Sequence, residues 1–215
     1  MKVFVSWSSG KDCMYALYKF LQNKENEVVC LLNMTDADND YSRSHGIKNE
    51  IIQRQAAQLN FLLMQHPTSR ASYEIELKKA IEVLKNEGID AGIFGDIYLK
   101  EHRVWIERVC GEMQIKAVFP LWGNDTDSLI RDFVNDGFKS VIVAVRNNIL
   151  DKSYLGRIID NNFLDELSKQ KNIDLCAENG EYHSFVIDGP LFQQPVNYTT
   201  GKIRKDGKNS YIDIL

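Results

Sequence analysis

No stretch of this 215-residue sequence approaches the ~20 consecutive apolar residues that a membrane-spanning helix needs. The opening MKVFVSWSSGKDC has one lysine before an apolar run too brief for a signal peptide, so the cytoplasm is the expected compartment. Cysteine is sparse. Cys13, Cys30, Cys110 and Cys176 are widely spaced with no C-x-x-C pair, which argues against a zinc site or a redox dithiol. A disulfide framework is not expected without a secretory leader either. Positive charge is not in excess: 26 Lys and Arg against 30 Asp and Glu leave a net charge of −4. No bulk field therefore draws the chain to RNA or DNA. Internal repeats and low-complexity segments are also missing.

What is present is strand–helix alternation through the first 120 residues. Lys2–Trp7, Val28–Met34, Ala91–Phe94 and Ile115–Phe119 read as strands, and Phe61–Gln65 is a short apolar run before Pro67. Between them Lys11–Asn23, Lys48–Leu59, Tyr73–Glu87 and Leu99–Met113 carry helical spacing, the third stopping at Gly88. Such alternation predicts an α/β fold, a Rossmann-like parallel sheet with helices on both faces. Ligands of these sheets bind beyond the carboxyl ends of the strands, which points to the loops after Trp7, Met34 and Phe94. After Pro120 the pattern changes: helices at Asp125–Asn135 and Asn161–Gln170, a strand at Ser140–Val145, and β-like runs at Tyr182–Ile187, Phe192–Thr199 and Tyr211–Leu215. The expected division is residues 1–122 and a smaller α+β unit, residues 123–215.

Ser8-Ser9-Gly10-Lys11-Asp12-Cys13 follows the first strand and opens the first helix. The first N–H groups of a helix lack internal partners and the helix dipole adds positive potential, so an anion suits this junction. Gly10 permits close backbone approach, Ser8 and Ser9 add hydroxyls, Lys11 adds charge, and Asp12 either caps the helix or helps hold magnesium. Neither G-x-x-x-x-G-K-[ST] nor G-x-G-x-x-G is present. The bland alternative is a serine-capped helix with no ligand.

The loop resembles that of the N-type ATP pyrophosphatases, S-G-G-x-D-S, and over nearly its whole length the chain is similar to the diphthine–ammonia ligase family. The resemblance also rests on Ser44-His45-Gly46 with Gln55-Ala56, on Gly95-Asp96-Ile97 with Arg103, Trp105, Glu107 and Arg108, and on Pro120-Leu121-Trp122. Leu155-Gly156-Arg157 and the block from Glu178 to Phe192 complete it. Ser9 stands where the family has Gly, Cys13 where it has Ser, and Asn179 where it has Gly.

The resemblance implies an adenine nucleotide alpha-hydrolase-like sheet and a ligase that uses ATP and magnesium. A carboxylate would be adenylated with release of pyrophosphate; ammonia would then give an amide and AMP. For the namesake enzymes the acceptor is diphthine on elongation factor 2. It further implies nucleotide contacts from Ser8–Cys13, Met34, His45 and Gly95, with Lys11 and Asp96 in the chemistry and Asp12 on the metal. Arg103, Glu107 and Trp122 would meet substrate. Each has a structural alternative: an N-cap for Asp96, a loop residue for His45, a surface i,i+4 ion pair for Arg103 and Glu107, hinge packing for Trp122.

Glu178, Glu181 and His183 would bind ammonium and take its proton, Glu181 and His183 facing the same way if that stretch is extended; the alternative is a solvated strand end. Two other readings stand beside the ligase: a pyrophosphatase-class enzyme acting on a different small acid in a bacterium, and an ATP-binding sensor without turnover. RNA thiolation is disfavoured by the acidic balance and the missing C-x-x-C. Oligomeric state, a homodimer among the options, is not set by the sequence.

Overall fold

The computed structural model describes residues 1–38, 40–43 and 45–215. Ser44, quoted above, lies outside them. Strands β1 (Lys2–Ser6), β2 (Glu27–Asp36), β3 (Leu63–Thr68), β4 (Ala91–Ile93) and β5 (Lys116–Val118) form a parallel sheet in the order β3-β2-β1-β4-β5. Helices α1 (Lys11–Leu21), α2 (Asn49–Leu59), α3 (Tyr73–Asn86) and α4 (Lys100–Glu112) make the crossovers.

The central strand shows why both faces are covered. Val3, Phe4 and Val5 are all fully buried, yet they alternate between faces. Val3 and Val5 share a core with Met14 and Leu17 of α1 and Ile51 and Ile52 of α2. Phe4 joins Leu77 and Ile81 of α3 and Ile106 and Val109 of α4. A strand dry on both sides reads as an unbroken apolar run, as VFV does. This is the expected α/β, Rossmann-like architecture.

Beyond it lie α5 (Thr126–Asn135), β6 (Lys139–Arg146), a 3-10 turn at Lys152–Tyr154, α6 (Asn161–Leu167), β7 (Tyr182–Asp188), β8 (Thr200–Asp206) and β9 (Asn209–Ile214). The last four strands make an antiparallel sheet, β7-β6-β9-β8. Asp125 and Asp160 cap α5 and α6 by accepting from the N–H groups of Ser128 and Phe163. Helix α1 serves both sheets: Tyr15 and Tyr18 meet Phe138 edge-on at 6.0 and 5.2 Å, and Phe133 stacks on Phe138.

The tail departs from the sequence reading. Phe192–Thr199 forms no strand; it contains Pro195 and two exposed glutamines, and Pro cannot donate to a ladder. The strand falls instead at Thr200–Asp206, whose mostly exposed, charged side chains show no apolar alternation because β8 is a sheet edge.

Candidate functional site

The loop from Ser8 to Cys13 is a left-handed step into a helix. Ser9 has φ +70° and is buried, and its carbonyl accepts from the Val186 N–H at 3.1 Å and from Gln55 Nε2 at 3.0 Å. A conformation this unfavourable for a side-chain-bearing residue explains why glycine suits the position. Gly10 then begins α1 with no side-chain cap, and the Lys11 N–H reaches only the Ser184 hydroxyl, at 3.3 Å. First-turn donors are thus left for a ligand. A Cβ on Gly10 would run into the His45 ring and come within 3.1 Å of the Ser184 carbonyl.

Gly95 plays the matching role from β4. A Cβ there would lie 2.8 Å from the Asp12 carbonyl carbon and 2.9 Å from the Cys13 nitrogen, so the end of β4 is flush with the first turn of α1. Asp96 follows. It does not cap α4, whose N-cap is Leu99 without a side-chain bond; its carboxylate lies 3.4 Å from His102 Nδ1. Burial pushes the Asp96 carboxyl above the usual range, with His102 opposing. Glu178 Oε1 accepts from the Ile97 N–H at 3.0 Å, and burial raises this carboxyl too.

The two histidines come together. The rings of His45 and His183 stand 4.8 Å apart. His45 Nδ1 is 2.9 Å from the Ser184 carbonyl, which can only accept, so the assigned tautomer carries its proton on Nδ1 and leaves Nε2 as an acceptor. Burial, then the fields of Lys11 and Arg146, lower His183 to about 4. His45 is also held well below the ordinary range, by burial and then by His183. Both imidazoles are neutral at pH 7.

Ser8, Asp12, Cys13, His45, Gly95, Asp96, Glu178 and His183 line one cleft of about 300 Å³. An adjoining pocket of about 530 Å³ shares Ser6, Asp96 and His102 with it and adds Tyr73, Phe94 and Trp105.

Other expected site residues fall elsewhere. The Lys11 ammonium is buried beneath the loop, 2.8 Å from both Asp12 oxygens and 5.6 Å over the Tyr182 ring. Burial works against its charge, but the Asp12 carboxylate more than offsets this and keeps it protonated. Its influence on the cleft is through its field. Met34 lies two residues inside the end of β2, with its side chain in the core shared by α3 and α4. Arg103 pairs with Glu107 at 2.7 Å and covers the rings of Trp122 and Phe119 at 4.6 and 5.0 Å, and none of these residues lines either cavity.

Glu181 is 2% exposed. One of its oxygens accepts from the Asp174 N–H at 3.2 Å, and the other has no partner among the described residues. It does not join His183 in lining the cleft, because the left-handed Gly180 bend precedes β7 and Glu181 lies before the strand begins. Three contributors escaped the sequence reading: His102, in the first turn of α4 beside Asp96, Ser184 on β7, and Arg146 at the end of β6. His102 carried a signal in its place in the helix that follows Gly95-Asp96, and Ser184 in lying within the block from Glu178 to Phe192; Arg146 carried none.

Among the described residues no group of three or more His, Cys, Asp and Glu side chains is arranged to hold a metal alone. Magnesium needs less, since one or two carboxylates plus substrate phosphates suffice. Asp12 and Asp96 fit that demand, both lining the cleft beside the loop.

A family model described as the diphthamide synthase N-terminal domain matches residues 1–117, and one described as the diphthamide synthase C-terminal domain matches residues 125–215. The chain is similar to the diphthine–ammonia ligase of Homo sapiens, 24% identical over 91% of this chain and 82% of the relative. It is likewise similar to that of Rattus norvegicus, 25% identical over 94% and 84%. The protein of that name from Schizosaccharomyces pombe is 25% identical over all of this chain and 39% of its own length. With both domain models matched in order along it, the chain belongs to the diphthamide synthase family.

Proposed function

We propose that this protein is an AMP-forming ligase that uses ATP to activate a carboxylate and ammonia to convert it to an amide, the carboxylate being that of diphthine on elongation factor 2. The observation that carries the reading is the uncapped start of α1 at Gly10, opening into a cleft bounded by residues from both sheets. Negative charge grows on the departing pyrophosphate, so donors fixed in advance at that point lower the barrier. The names of the relatives supply the acceptor and the amine.

In this reading the triphosphate lies on residues 8–13, with the base in the larger pocket, where Tyr73, Phe94 and Trp105 offer flat apolar surface. Residues 1–122 hold ATP and residues 123–215 present the acceptor. Magnesium, held by Asp12 and Asp96, would neutralise phosphate charge. An acceptor oxygen attacks the α-phosphorus and pyrophosphate leaves with the bonding electron pair. Ammonia then attacks the acyl carbon and AMP departs. Neutral His183 and Glu178 line the same cleft, placed to hold ammonia and to accept the proton its nitrogen sheds once attack on the acyl carbon has made it acidic.

The test is product analysis. Purified protein with ATP, magnesium, ammonium and diphthine-bearing elongation factor 2 is expected to release AMP and pyrophosphate in step with amide. ADP as the product, or AMP release with no dependence on the acceptor, would overturn the reading.

A further inference from the structure

The strongest unassigned feature is the cation at the end of β6. Seven of the nine arginines in the sequence have a carboxylate partner: Arg43, Arg54, Arg103, Arg108, Arg131, Arg157 and Arg204. Arg70 is exposed in the loop before α3. Arg146 is half-buried, and among the described residues its guanidinium has no carboxylate within ion-pair distance and no hydrogen-bond partner.

Its position is fixed by the β6–β7 ladder. The Arg146 N–H donates to the Glu181 carbonyl at 2.9 Å, which sets the side chain against the Gly180 bend. A Cβ on Gly180 would stand 2.7 Å from Arg146 Nη2. Gly180 and His183 both line the 300 Å³ cleft, and the field of Arg146 reaches His183. Arg146 is not itself among the residues lining the cleft; its guanidinium stands against Gly180, which is, on the side of the antiparallel sheet.

The cleft needs such a cation. Asp12, Asp96 and Glu178 line it, so an incoming carboxylate meets three groups that become like charges when ionised. Lys11 does not offset this by contact, being sunk beneath the loop against Asp12. A guanidinium offers paired N–H donors matched to a carboxylate, and an unpaired one near a cleft is the group such an anion would seek.

We propose that Arg146 is a substrate-binding residue that holds the carboxylate of the acceptor at the edge of the cleft. This rests on the amidation reading above. One carboxylate oxygen sits on the guanidinium and the other stays free to attack. The bond formed is oxygen to α-phosphorus, the bond broken is α-phosphorus to bridging oxygen, and pyrophosphate carries away the electron pair.

The test uses the full chain with Arg146→Gln and Arg146→Lys. Arg146→Gln is expected to raise the acceptor KM at least tenfold, with Arg146→Lys recovering part of the loss, while ATP affinity in a nucleotide titration stays within twofold of wild type. An unchanged acceptor KM overturns the proposal. So does a loss confined to ATP affinity, which would make the ligand a phosphate. A second arm is independent of turnover: the Arg146 Nε–H resonance of the wild-type protein, assigned by its loss in Arg146→Lys, is followed during titration with acetate and separately with inorganic phosphate. A saturable shift with acetate supports the assignment. No shift, or a shift with phosphate alone, overturns it. Should the wild type make no amide from diphthine, the amidation reading fails and the resonance titration still decides the role of Arg146.

Discussion

Gln55 and Ser9 form the junction on which the cleft is built. The Gln55 amide donates to the Ser9 carbonyl at 3.0 Å and to the Val186 carbonyl at 2.7 Å, and its oxygen accepts from the Trp7 indole at 3.0 Å. One fully buried side chain on α2 thus ties the first strand, the loop and β7. Replacing it by Leu strands the Trp7 indole and the Val186 carbonyl at about 1–3 kcal/mol apiece, while the Ser9 carbonyl keeps the Val186 N–H. Gln55→Leu is expected to lower the unfolding free energy in urea by about 3 kcal/mol and to weaken ATP binding. A loss under about 1 kcal/mol would show that the junction carries little of the stability.

Ser9→Gly should stabilise the protein. A left-handed residue with a side chain is strained by about 1–2 kcal/mol, against which glycine loses about 0.5–1 kcal/mol through its freer unfolded chain. The expected net gain is about 0.5–1 kcal/mol by urea denaturation, with ATP affinity unchanged. Ser9→Val should move the other way.

Gly10→Ala should damage the site while sparing the fold. The added methyl group meets the His45 ring, which must swing away from Ser184. The expectation is an ATP affinity at least tenfold weaker, measured by titration calorimetry, with an unfolding midpoint near that of wild type. Wild-type affinity in this variant would remove the loop from nucleotide binding.

Acid should destabilise the protein through its buried imidazoles. His183 takes its proton at about 4 when folded and near 6.5 when unfolded. Between those values the unfolded chain binds more protons, so stability falls as pH drops from about 6.5 towards 4. The depression corresponds to roughly 3 kcal/mol at full effect. Urea curves at pH 7 and pH 5 should show the wild type losing stability and His183→Gln losing less. Equal losses would mean that His183 is not buried as described.

The parallel sheet was legible because VFV and its neighbours are dry on both faces and because each crossover helix carries an apolar stripe. The loop was legible from its place between β1 and α1. Less could be read where a role depends on what a side chain meets across the fold. Lys11 looked like a phosphate ligand until Asp12 and Tyr182 were seen to hold it under the loop. Arg103 and Trp122, nineteen residues apart, engage each other rather than the cleft. Glu181 and His183 share a parity in sequence, but β7 begins at Tyr182 and leaves Glu181 on the left-handed Gly180 bend, which no alternation rule reports. Strand β8 was invisible because an exposed edge strand needs no apolar face.

Ser184 has its hydroxyl on the Lys11 amide and its carbonyl on His45, while two residues further along the Val186 amide grips Ser9. The far sheet therefore backs the loop, and in the proposed reading it is the rear wall of the nucleotide's seat. Linkage makes such an arrangement reciprocal: whatever tightens the seat must steady the wall by the same free energy. Nucleotide should accordingly slow amide hydrogen exchange along β7, in a sheet that contributes none of the loop's own residues.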